Sequence, residues 1–285
     1  MFRIVYINSM IIWIASYPKS GNTWIRSLLS SYLFSKDGRF TFELLKNIER
    51  FSVKADFLNN NINYQNEISK NWIPSQRAIN NDKKIHIMKT HNAICTINGN
   101  GFTDKSNTKA AIYIVRDPRN LISSLAHHYE LSIDEAFNFL TNKRKIIFPE
   151  NLKNKDFNFL GDWSAHYKSW KNINFCKVKI IKYEDLLENT ERSFKSILEF
   201  LSDFMKFEIE ESKITNTIKS TSFKNLSLLE KKEGFDESAI SSKTKKKIKF
   251  FHMGEKNNWN VLLNNNLVKK IESHFKNEML ELGYL

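Results

Sequence analysis

The chain has 285 residues, 41% hydrophobic and 13% aromatic, with 22 phenylalanines and a formal charge of +13. That composition excludes a disordered chain and is large enough for one sizeable core. Two cysteines, Cys95 and Cys176, exclude a disulfide framework or a zinc-ligand spacing, which suits a reducing, cytoplasmic setting. The positive balance favours polyanionic partners such as a phosphorylated cofactor, although most of the excess reads as lysine on a solvated surface.

In chain order, the opening MFRIVYINSMIIWIA is broken by Arg3, Asn8 and Ser9 and reads as a buried strand, not a signal peptide or a membrane span. Met10 is an alternative start that would leave 1–9 as an extension. The run 11–16 (IIWIAS) is continuously apolar, as for a strand buried on both faces, and 22–34 follows as a helix. Residues 84–90 and 110–115 are further short strands, the second ending at Arg116-Asp117-Pro118, and a helix runs on from about Arg119. Ser132 with Glu135 forms a capping box. Trp163 and Trp170 lie on a predicted helix and read as core. The segment 177–185 is the fourth strand, followed by a helix through Leu201, and 261–282 reads as one terminal helix. Polar segments 36–83 and 142–160 read as insertions beside the site, and 224–260 is lysine-rich. No repeat or linker interrupts the chain, so a single domain over 1–285 is expected.

Strands alternating with helices imply an α/β fold with a central, mostly parallel sheet between helical layers and the ligand at the carboxyl ends of its strands. Lys19, Lys89-Thr90-His91, Arg116 and Tyr183 all fall at or just beyond predicted strand ends. The stretch YPKSGNTW (17–24) is a strand-to-helix turn of the phosphate-binding kind. It lacks the first glycine of G-x-x-x-x-G-K-[ST], and its lysine stands early, at Lys19. The backbone N–H groups of Gly21, Asn22 and Thr23 would meet a phosphate at the helix N-terminus.

YPKSGNTW resembles the 5′-phosphosulfate loop of the sulfotransferases that use 3′-phosphoadenosine 5′-phosphosulfate (PAPS). IYIVRDPRNLISSLAHHY resembles their second signature, in which Arg116 is followed by Ser124. MKTHN, GDWSAHYKSW, KYEDL, STSFKNL and FFHMGEKNNWN match further landmarks of that family in order, so the likeness covers nearly the whole chain. It implies a phosphate-loop three-layer fold, PAPS as cofactor and sulfuryl transfer to a hydroxyl or amine of a small acceptor. Carried over by position, Lys19, Ser20, Gly21, Asn22 and Thr23 would hold the phosphosulfate, with Lys19 on the leaving oxygen. Trp24, Tyr183, Thr221 and Phe223 would surround the adenine. Arg116 and Ser124 would hold the 3′-phosphate. His91 would be the general base, with Lys89 beside it. No metal is implied. Where the family reads R-K-G on the 3′-phosphate, this chain has His252-Met253-Gly254.

Two other function classes fit the residues. One is a phosphate-loop nucleotide kinase or phosphotransferase, against which the displaced Lys19 and the lack of a magnesium-holding strand end argue. The other is a catalytically impaired, basic polyanion-binding protein, which the loss of two cations at 252 and 253 keeps open. No sequence-specific nucleic-acid partner is expected, and homodimerisation is left open. His127, His128 and His166 read as helix or surface histidines, and Asp117, Glu184 and Asp185 as turn and cap residues.

Overall fold

In a computed structural model that describes residues 10–53, 64–148 and 157–285, four parallel strands form the central sheet. They are β1 (Met10–Ser16), β2 (Ile85–Thr90), β3 (Thr108–Val115) and β4 (Lys177–Lys182), in the spatial order β2-β1-β3-β4. The first strand in sequence is thus an interior strand, and Ile11 to Ala15 are fully buried. The expected extension 1–9 lies outside the described residues.

The alternation of side chains along a strand divides the core. Ile11, Trp13 and Ala15 face one layer, together with Ala111, Tyr113 and Val115. That layer contains α3 (Trp72–Asn80), α4 (Pro118–Tyr129), α6 (Trp163–Lys171) and α12 (Asn265–His274). Ile12 and Ile14 face the opposite layer, built from α1 (Asn22–Phe34) and α8 (Thr190–Ser202). Trp13 illustrates why the register is fixed. Its ring packs against Phe51 and Phe102, and its Nε1–H donates to Thr108 Oγ1 at 2.9 Å. A slip of one residue would turn that ring into the opposite layer, away from Phe51, Phe102 and Thr108. Trp163 and Trp170 are fully buried, as the sequence predicts. The Ser132–Glu135 capping box is present with both of its hydrogen bonds and opens α5 (Ile133–Thr141).

Three expectations are corrected. The fourth strand stops at Lys182, and Tyr183-Glu184-Asp185 opens the helix α7 (Tyr183–Glu188), whose first turn gains from the two acids. The single terminal helix is three pieces. Asn264 caps α12 by accepting from Leu267 N–H at 2.9 Å, which breaks it from the short turn Trp259–Leu262, and a further break at Phe275 precedes Lys276–Glu281. The polar segment 36–83 is not all surface insertion. Within its described part, Ile68, Trp72, Ser75 and Gln76 are buried, with Gln76 Nε2 donating to the Phe102 carbonyl at 2.6 Å. Beyond the sheet, Phe40, Leu45, Leu226, Phe235 and Phe251 form a separate small core that holds the 224–251 segment over the strand ends. No helix among the described residues is long and apolar enough to cross a membrane.

Candidate active site

All four strands end beneath one cavity of about 650 Å³. Its floor is the turn between β1 and α1. Lys19 takes a left-handed backbone (φ +68°), which costs a non-glycine residue energy and persists only where the surroundings hold it. Gly21 follows at φ +106°, with the Tyr183 ring so close that an added Cβ would lie 2.6 Å from Tyr183 Cδ2. No other residue fits there. Asn22 turns its side chain inward. Its Nδ2–H groups donate to the Ile14 carbonyl and to Ser16 Oγ, both at 3.1 Å, pinning the turn to β1. Its part toward a ligand is therefore its backbone N–H. Thr23 Oγ1 donates to Glu237 at 3.0 Å.

His91 stands just past β2. Its Nδ1 lies 2.7 Å from the Ser16 carbonyl oxygen. A carbonyl only accepts, so Nδ1 carries the proton and Nε2 keeps its lone pair. Burial, and then the nearby Lys89 charge, hold the ring's pKa well below the usual imidazole value, so it stays neutral at working pH. Behind it, buried His166 donates from Nε2 to the His91 carbonyl (3.0 Å), while its Nδ1 accepts from Tyr113 O–H (2.8 Å). His166 thus supports the backbone of His91 instead of lying on the surface. The aromatic pattern of GDWSAHYKSW was compatible with either placement.

Two lysines flank the turn and the base. Lys19 is lowered to about 7 by burial first, then by the Lys89 and Arg116 charges, and its Nζ sits 3.9 Å above the Phe250 ring. Lys89 is lowered to about 8, again mainly by burial, with Glu237 partly restoring it through a 3.0 Å hydrogen bond. Arg116 makes no direct ion pair among the described residues, although its charge acts on Glu184. Its Nη1 donates to the Lys19 carbonyl (2.9 Å) and to Ser124 Oγ (3.4 Å), and its guanidinium lies 4.2 Å over the Tyr183 ring. Ser124 also accepts from Asn257 Nδ2 at 2.8 Å.

The remaining predicted residues divide. Trp24, Tyr183 and Phe223 line the cavity, Trp24 and Tyr183 meeting edge to face at 5.8 Å. Gly254, at φ +55°, packs on Phe223, where an added Cβ would lie 2.7 Å from the ring. Met253 lines the same wall. His252 stacks flat on His127, with centroids 3.7 Å apart, and its pKa is lowered by burial, then by His127 and Lys249. Thr221 is not brought to the cavity. It is fully buried, and its hydroxyl donates to the Thr217 carbonyl at 2.8 Å. Sequence reasoning missed Arg26, His127, Glu237 and Asn257. Arg26 falls on the same helical stretch as Thr23, but nothing local marks Glu237 as its partner.

The site offers an anion several unsatisfied donors. The first N–H groups of α1 have no intrahelical acceptor. Arg116 Nε is buried without a partner among the described residues, as is Ser20 Oγ, although Ser20 lies in the turn beneath the cavity and not on its wall. These atoms fit a phosphorylated ligand, since buried polar groups are costly when unpaired.

A parallel sheet with a glycine turn and an anion-ready helix N-terminus at its carboxyl edge defines a phosphate-loop α/β protein. The chain belongs to the sulfotransferase-domain family of enzymes, whose profile matches residues 10–283. It is 28% identical over 271 residues to cytosolic sulfotransferase 12 of Arabidopsis thaliana, covering 92% of this chain and 74% of that protein. To luciferin sulfotransferase of Photinus pyralis it is 26% identical, covering 79% of this chain and 58% of that protein. The fold is similar to a mouse sulfotransferase solved in complex with PAP (TM-score 0.56, 17% identity, 96% of this chain and 85% of that one). It is also similar to retinol dehydratase solved with retinol and PAP (TM-score 0.59, 16% identity, 96% of this chain and 82% of that one).

Proposed function

We propose that the protein moves a sulfuryl group from PAPS to the hydroxyl or amine of a small acceptor. The observation that carries this reading is the tautomer of His91, whose lone pair on Nε2 belongs to a base in the cavity it shares with Lys19. When bound, PAPS supplies an activated sulfuryl group on a phosphate leaving group. Lys19, Ser20, Gly21, Asn22 and Thr23 would hold the phosphosulfate through the α1 N-terminus. Trp24, Tyr183 and Phe223 would flank the purine, while Arg116, Ser124, Asn257, His252 and Met253 would form the 3′-phosphate end.

Each catalytic side chain then has a defined task. His91 Nε2 takes the acceptor's proton, because a neutral hydroxyl is a weak nucleophile and the ring, held neutral, keeps its Nε2 lone pair free at working pH. Lys19, poised about 7 by its buried, cationic surroundings, gains its full charge once an anion arrives. It then offsets the charge that develops on the leaving oxygen. Lys89 adds positive potential beside the base. The described parts of 36–83 and 142–160 include Arg50, Ile147, Phe148 and Asn158 on the cavity wall, where an acceptor would be selected. We take the chain to act as one domain in the cytoplasm.

The test is calorimetry with PAP against ADP and ATP, followed by transfer of labelled sulfate from PAPS to simple phenols. PAP binding tighter than ADP, together with labelled product, is the expected result. Magnesium-dependent ATP binding tighter than PAP would overturn it in favour of a phosphotransferase. Salt-sensitive polyanion binding that survives mutation of the turn, without transfer, would favour an impaired basic binder.

A further inference from the structure

A carboxylate stands among the cations of this cavity. Glu237 Oε2 accepts from Thr23 Oγ1 and from Lys89 Nζ, each at 3.0 Å, and its Oε1 is paired with Arg26. Arg26 is itself buried and held by hydrogen bonds from Nε (2.9 Å) and Nη2 (2.7 Å) to the Ile48 carbonyl. Glu237 therefore reaches from the 224–251 cover to two places at once, the N-terminal turn of α1 and the cation two residues before His91. Although burial pushes its carboxyl up, the Lys89 and Arg26 charges hold it far below the usual carboxylate range. The group is ionised whenever the enzyme works.

We propose that Glu237 selects the terminal group of the cofactor, favouring a singly charged sulfuryl over a doubly charged phosphoryl at the reacting end. The inference rests on the sulfuryl-transfer reading above. A site that binds an anion gains from every cation, so a fixed carboxylate within it works against binding unless it discriminates. Here it offsets one positive charge beside the base and occupies the hydroxyl of Thr23. A terminal sulfuryl carries one negative charge, whereas a terminal phosphoryl is mostly a dianion near neutral pH. The extra charge would meet a carboxylate that lines the same cavity and bonds to Thr23 of the phosphate turn, where repulsion between unit charges is well above that in water.

Adenosine 5′-phosphosulfate and ADP isolate this difference, since they share every atom up to the terminal group. In magnesium-free buffer the wild type should bind the phosphosulfate more tightly than ADP. Glu237→Gln should improve ADP by roughly tenfold more than it improves the phosphosulfate, the size expected from removing one nearby unit charge. Glu237→Asp, which keeps the charge, should keep most of the preference. Equal affinities in the wild type would overturn the inference. So would a Glu237→Gln variant that loses both ligands in proportion, which is what a mere tether of the cover would do. If Glu237→Gln does not fold, the double variant Glu237→Gln/Arg26→Met also removes the buried Arg26 charge, so that Lys89 is the one cation partner left. Its ratio should narrow in the same way, and an unchanged ratio counts against the inference. PAP is titrated in parallel. If PAP does not bind the wild type, the sulfuryl-transfer reading itself fails; if PAP binds and the ratio does not move, the role of Glu237 alone fails.

Discussion

The floor and the cover of the cavity are built by different rules. The floor, from β1 through the turn into α1, is continuous chain. Its geometry is set by backbone: the left-handed Lys19, the glycine under Tyr183, and the Asn22 amide clasped to Ile14 and Ser16. The cover, 221–257, is assembled by side chains from distant segments, with Glu237 reaching to Thr23 and His127 stacking on His252. A floor fixed by local geometry tolerates little change in its chemistry. A cover fixed by tertiary packing can exchange its residues while keeping its place, since His252 is held by its stack on His127 and Met253 stands on the cavity wall.

If that contrast is right, the largest loss comes from the floor side. His91→Ala should cut turnover by about two to four orders of magnitude while leaving PAP affinity and the melting temperature near wild type. A variant that retains most of its rate would remove His91 as the base. Lys19→Ala should lower kcat by about 10²-fold or more, and affinity for adenosine 5′-phosphosulfate by much less, because its charge matters most as the leaving oxygen forms. Equal losses would make Lys19 a binding residue only. The wild type should also bind PAP more weakly as pH rises above about 7, the free-state value for Lys19. Above that value binding must take up a proton, whereas below it Lys19 is already charged, so affinity is fully present on the acid side. Titrations at several pH values should show this slope, and Lys19→Ala should flatten it.

On the cover, gains are available. His252→Arg with Met253→Lys should tighten PAP, each well-placed charge-assisted contact contributing about 1.5–3 kcal/mol. No change on titration would mean these positions do not face the 3′-phosphate. The smallest effect is expected at Thr221. Thr221→Val should leave PAP affinity within about twofold and cost only about 1 kcal/mol of stability, because its hydroxyl serves the Thr217 carbonyl. A large loss of affinity would show that the helix end rearranges to bring it into the site.

The same contrast explains what was legible in the sequence. All four sheet strands and α1 could be read from apolar runs, and the placing of Lys19, His91 and Arg116 at strand ends followed from the parallel topology. The Ser132 capping box was readable because both of its halves lie within four residues. Glu237 was not, because its partners Thr23, Arg26 and Lys89 are remote in sequence and nothing in its own neighbourhood distinguishes it from the other acids. His166, read as a helix or surface histidine, does lie on α6, but its contact with His91 was not legible for a related reason. Helical spacing places a histidine on a face, but cannot say that the face meets the back of His91. Thr221 followed the family template by position, yet a threonine in the last turn of a helix can donate to the carbonyl four residues back, and this one does.

The sheet order carries a consequence for how the chain comes to be folded. Met10–Ser16 lies between Ile85–Thr90 and Thr108–Val115, and neither flanking strand exists when the first is synthesised. One of the most apolar stretches of the protein must wait, unpaired, for most of the first hundred residues to follow. Long-range parallel pairing of this kind is slow, since loop closure is paid before any contact rewards it. During that interval both edges of a strand that ends up wholly interior are open to other chains. Refolding yield should therefore fall with protein concentration more steeply than native stability would suggest, and production should respond to slower synthesis or added holdase chaperone. The strand that anchors the phosphate turn is, in the nascent chain, its most vulnerable segment.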